Sequence, residues 1–139
     1  MCAFDIGVIP DKKYWTIRTL ATSIERNDLK STKHLLINEC PRDKMNGMRA
    51  AKIGSIEMIQ LLKKNGVFPD KYSYLSAAKH NQIACIEHLK RTRCPFESWI
   101  FFDMKLYSKQ CRAVIEELKK RKKRDTEERL IERSMFPQK

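Results

Sequence analysis

The chain has 139 residues, 42% apolar and 33% charged, which suits one modest hydrophobic core and excludes a two-domain enzyme. Only 4 Gly and 5 Pro argue against a loop-rich all-β fold, and 29 Lys plus Arg against 17 Asp plus Glu leave a formal net charge of +12 that attracts acidic partners. No apolar run is long enough to cross a bilayer.

From the N-terminus, Met1-Cys2-Ala3-Phe4-Asp5-Ile6 is interrupted by a charge and preceded by no basic residue, unlike a secretory signal. Cysteines at 2, 40, 85, 94 and 111 are odd in number and contain no C-x-x-C pair, so reduced thiols in an intracellular compartment are expected. The chain then repeats itself. Met48–Leu62 aligns with Leu75–Leu89 at an offset of 27, with both Ala-Ala-Lys triplets in register. Leu29, Ile56 and Ile83 share one repeat position and Leu35, Leu62 and Leu89 another; Ile59 and Ile86 pair likewise, with Thr32 as the weaker counterpart. Asp43, Asp70 and Glu97 precede one set of helices, and Asp28, Ser55 and Gln82 a second set, as N-caps do. Gly54, Gly66 and Asn81 fit helix ends that want positive φ, and Pro41, Pro69 and Pro95 fall in connections.

Each unit therefore reads as helix, turn, helix, loop. First helices are expected over 12–26, 44–53, 71–80 and 98–107, and second helices over 28–38, 55–65, 82–92 and 109–124. Stacking such pairs buries a continuous core that one pair cannot form. The expectation is an all-α solenoid of helical pairs over 1–118, about four units with the last as a looser cap, and a basic, charged tail over 119–139.

The third unit carries Ala77-Ala78, Asn81, Ile83-Ala84-Cys85-Ile86 and Cys94-Pro95-Phe96-Glu97. It resembles the short, degenerate ankyrin-like repeat found in arrays in large DNA viruses and protists. The second unit matches through Ala50-Ala51, Gly54, Ile56 and Leu62, and the first through Leu29, Leu35, Leu36 and Cys40-Pro41. The resemblance covers about residues 20–118 and implies an ankyrin-like stack whose first helices line a protein-binding face. The Thr-Pro-Leu-His turn is absent, so short loops are expected in place of a projecting hairpin.

Cys85, His88, His80 and Cys94 could be drawn as a zinc site, but Cys85 lies in an apolar stripe and the position of Cys94 is filled by Val67 one unit earlier. Packing thiols are expected, with no metal and no cofactor. No nucleophile turn, oriented base or phosphate loop points to catalysis, so no enzyme is expected. Tyr74, Phe102 and Arg49 are the candidate partner-binding residues, since rigid aromatics and Arg anchor interfaces well. Lys119, Lys120, Arg121, Lys122, Lys123 and Arg124 form one cationic run. That run reads as a solvated helix, a nuclear-import signal or a salt-sensitive nucleic-acid contact. Leu130, Ile131, Met135 and Phe136 form a small apolar patch beyond it, too short for a membrane anchor. The function expected is a protein-interaction scaffold, monomeric as an isolated domain and with an unidentified protein partner. The alternative is a basic adaptor that binds nucleic acid or an acidic partner through its tail, including a structural role in a virus particle.

Overall fold

A computed structural model describes residues 8–101 and 103–135, and the described chain is helical without strands. Helices α1 (Ile17–Glu25), α2 (Leu29–Ile37), α3 (Asn46–Ile53), α4 (Ile56–Lys64), α5 (Lys71–Lys79), α6 (Ile83–Arg91) and α7 (Lys109–Met135) follow in order. The odd-numbered helices α1, α3 and α5 pack side by side in one row. The helices α2, α4, α6 and α7 form the second row, and each pair α1/α2, α3/α4 and α5/α6 bridges the rows.

The 27-residue period is written in the backbone. Positive φ recurs at Asn27, Gly54 and Asn81, and again at Glu39, Gly66 and Arg93. The amides of Asp28, Ser55 and Gln82 donate to the carbonyls of Ser23, Ala50 and Ala77, and those of Cys40, Val67 and Cys94 to Leu35, Leu62 and Leu89. Each of the helices α1 to α6 thus ends in a Schellman-type closure that satisfies carbonyls the helix leaves unpaired. At the starts, Asp28 accepts from the Ser31 amide at 3.1 Å and Ser55 from the Met58 amide at 3.2 Å. Asp70 accepts from the Tyr72 and Ser73 amides, and the Asp70 amide donates back to Ser73 Oγ at 3.2 Å, closing a capping box. Asp43 holds the Met45 amide one turn ahead of α3 rather than capping α3 itself. Gln82 does not cap α6; its amide reaches the Lys52 carbonyl of the preceding unit at 3.1 Å.

The core follows the repeat positions. Leu35, Leu62 and Leu89 are fully buried, as are Ile59 and Ile86. Thr32 stands at the isoleucine position in the first unit, where Ser23 also replaces the alanine of later units. The two hydroxyls meet at 2.8 Å inside the core, so the polar exchange is made in both partners at once.

The fourth unit departs from expectation. Among the described residues of 98–107 there is no α-helix; two short 3-10 turns, Ser98–Phe101 and Met104–Leu106, are found instead. The first unit likewise has a 3-10 turn at Lys12–Tyr14 before the shorter α1. Helix α7 runs 27 residues without a break, about 40 Å, so the expected domain boundary at 118/119 falls inside one helix.

Candidate functional site

The expected sites separate once their burial is known. Tyr74 is fully buried, which corrects its reading as a surface anchor. Its ring meets Phe96 edge-on at 5.5 Å and its hydroxyl donates to the Cys94 carbonyl at 3.2 Å. Burial pushes its phenol above the ordinary value. The reason was visible in the period: Tyr74 shares a repeat position with Leu20 and Phe101, both buried. Arg49 is half-buried, with its guanidinium held by Asn46 Oδ1 at 2.8 Å, Asp43 at 3.5 Å and Glu25 at 3.7 Å. It therefore ties α1, α3 and the intervening loop together. Phe102 lies outside the described residues.

Cys40 Sγ lies 3.8 Å from the Thr16 carbonyl and Cys94 Sγ lies 3.5 Å from the Asp70 carbonyl, two equivalent contacts 54 residues apart. Each thiol sits over the residue that opens a first helix. Burial raises all four described thiols, Cys85 to about 11 and Cys94 to about 12. A raised pKa keeps the unreactive protonated form, and each unit costs a factor of about ten in thiolate. Native protein at pH 8 should therefore alkylate with iodoacetamide at Cys40, Cys85, Cys94 and Cys111 at least about tenfold more slowly than denatured protein; fast native labelling read by peptide mapping would contradict this packing. Among the described residues no three His, Cys, Asp or Glu side chains group as metal ligands. His88 is buried, and burial followed by the nearby Arg91 and Lys63 charges holds it below its ordinary value.

A surface that residue-by-residue selection missed lies where the loops enter the first helices. Met45, Tyr72 and Trp99 occupy one repeat position and are 42%, 39% and 59% exposed. Tyr14 and Phe68 occupy a second position two units apart, with exposed Pro41 and Pro95 filling it in the other units. Lys71 joins the row: its Nζ lies 5.4 Å from the Tyr72 ring centroid and 5.1 Å from that of Trp99. Lys13 similarly lies 5.1 Å from the Tyr14 ring. The second helices end at this same edge, bringing Lys63 and Lys64 in the last turn of α4 and Lys90 and Arg91 in that of α6. Cations there complement the negative helix ends. The period of 27, applied to exposed rather than core positions, was the signal that could have found the row.

The cationic run of α7 is divided. Lys122 Nζ donates to the Phe96 carbonyl and pairs with Glu97, both at 2.7 Å. Arg121 donates to the Lys90 carbonyl at 2.8 Å and Lys119 to the Phe101 carbonyl at 3.4 Å. Lys120, Lys123 and Arg124 are exposed. Farther along, Leu130, Ile131 and Met135 are exposed and do not fold back on the repeats. No described helix is long and apolar enough to cross a membrane.

No protein-family profile, curated protein or solved structure matches the chain.

Proposed function

We propose that the chain is a non-enzymatic protein-interaction module, a short ankyrin-like solenoid of helical pairs whose loop edge holds an extended, acidic segment of a partner protein. The observation that carries this reading is the exposed row Met45, Tyr72 and Trp99, one large apolar side chain in each of the second, third and fourth units at the same repeat position, which Arg18 fills in the first. Exposed apolar groups in a continuous series mark interaction surfaces, whereas isolated ones need no explanation. Met45 stands at the start of α3, Tyr72 in the capped first turn of α5 and Trp99 in the 3-10 turn Ser98–Phe101, so the backbone beneath each is already ordered and little ordering remains to oppose binding. Lys71 covers part of both rings and places its ammonium between two units, where a carboxylate side chain would meet it. Apolar side chains of the partner would fill the spaces beside Tyr72 and Trp99.

Peptides selected from a displayed random library on the intact chain should carry acidic residues interleaved with apolar ones. Their affinity should fall at least about 30-fold in Tyr72→Ala/Trp99→Ala, matching about 2 kcal/mol for two anchor residues. Both side chains are exposed, so the variant should melt like the wild type. Selected peptides that bind the double variant unchanged would remove the row as the docking surface.

A further inference from the structure

Six consecutive cations look uniform in the sequence, but the fold uses only half of them. Lys119, Arg121 and Lys122 are half-buried, and each donates to a carbonyl of the loop or helix end beside α7. Lys122 also has Glu97, whose carboxyl is held below the usual range by that hydrogen bond and charge. Arg121 and Lys122 fasten α7 to α6 and the loop after it, and Lys119 fastens it to the 3-10 turn Ser98–Phe101. Lys120, Lys123 and Arg124 stand at i, i+3 and i+4, which places them on one helix face, and none makes an ion pair or hydrogen bond with the described residues. Glu117, one turn before Lys120, is engaged by Lys90 Nζ at 2.6 Å. The surface groove that the three cations line also takes in Arg121, the Lys90–Glu117 ion pair and Glu127, so the cations outnumber the carboxylates along it.

We propose that Lys120, Lys123 and Arg124 form a phosphate-binding face for duplex nucleic acid, separate from the loop edge. Three like charges within about one turn repel one another, and no carboxylate of the described residues lies within ion-pair distance of them, the Glu117 carboxylate attracting Lys120 only from farther off. A duplex offers one phosphate per about 1.7 Å of axis, dense enough to meet all three at once, and neutralisation releases its condensed counterions. The acidic residues that follow, Asp125, Glu127, Glu128 and Glu132, end the footprint after Arg124, because phosphates repel them. The face is thus confined to backbone contacts and reads no bases. The helical backbone around the run already makes its own hydrogen bonds, which disfavours a receptor that needs an extended import peptide.

The test is anisotropy of a labelled mixed-sequence duplex of about 20 base pairs, titrated with the full chain at several salt concentrations between about 50 and 200 mM. Binding in the micromolar range at the low end should collapse at the high end. In Lys120→Gln/Lys123→Gln/Arg124→Gln the affinity at low salt should fall at least tenfold. The slope of log affinity against log salt should flatten by about 0.9 for each phosphate left unneutralised, near 3 for all of them. Tyr72→Ala/Trp99→Ala should keep the wild-type slope, which separates this face from the loop edge. Lys122→Gln should melt lower yet bind with the wild-type slope. No duplex binding at low salt, a triple variant with the wild-type slope, or tighter binding of polyglutamate at matched charge would each overturn the proposal. The last of these would assign the face to an acidic protein.

Discussion

Tyr74→Ala is expected to destabilise the chain by about 3–5 kcal/mol, the range for truncating a large buried aromatic. That is a large part of the roughly 5–15 kcal/mol that holds a typical domain together. The position matters beyond its size. Tyr74 meets Phe96, Phe96 stacks on Phe101 at 5.8 Å, and Phe101 meets Tyr107 at 5.6 Å. This row of rings joins α5 to the two 3-10 turns, and with the packing of α7 on α6 it links the third unit to the irregular fourth. In the solenoid proposed above, where each unit leans on its neighbours, a weakened junction lowers cooperativity. Urea unfolding followed by circular dichroism should therefore show a lower midpoint and a broader transition. Tyr74→Phe keeps the rings and removes the hydroxyl's bond to the Cys94 carbonyl and its interaction with the Arg121 guanidinium, so it should cost about 1–2 kcal/mol. Equal losses in the two variants would mean that the hydroxyl, not the ring packing, holds the junction.

Gly47→Leu should be destabilising by about 3 kcal/mol, although the repeat itself recommends it. Position 47 is equivalent to Leu20, Tyr74 and Phe101, all large and buried. Restoring a large residue there would look like a repair, and helix propensity alone favours leaving glycine. The packing of α3 against α5 forbids it. A Cβ at Gly47 would already lie 3.1 Å from Pro69 Cα and 3.3 Å from Ser73 Oγ. Further atoms must push the Pro69 backbone away or break the Asp70–Ser73 capping box that starts α5. Overpacking of this kind costs about 1–3 kcal/mol and sometimes more. Gly47→Ala should stay within about 1 kcal/mol of the wild type, because its propensity gain opposes a shift of a few tenths of an ångström. Thermal melts of the two variants check the order. A Gly47→Leu protein as stable as the wild type would show that α3 and α5 can separate without cost.

Legibility followed the range of the interaction. Asp28, Ser55 and Asp70 were identifiable as caps because each bonds an amide only two or three residues ahead. Gln82 and Asp43 were misplaced because the first bonds a carbonyl 30 residues back and the second serves a turn before its helix. An aromatic ring alone does not distinguish an anchor from a core residue; repeat position does, placing Tyr74 with buried Leu20 and Tyr72 and Trp99 with exposed Met45.

The sequence by itself determined the 27-residue period, the first three helical pairs, the caps Asp28, Ser55 and Asp70, and the buried leucine and isoleucine positions. All of these depend on side chains within a few residues or on a pattern repeated from unit to unit. Tertiary structure alone decided that the fourth first helix gives way to two 3-10 turns, that Gly47 must remain small, and that half of the cationic run is committed to the fold. Those outcomes depend on groups far apart in the chain, such as Lys122 and Phe96 or Arg121 and Lys90, which are 26 and 31 residues apart. A run of like charges carries no mark of which members will find a carbonyl. Only the docking of α7 against α6 and its following loop brings those carbonyls within reach.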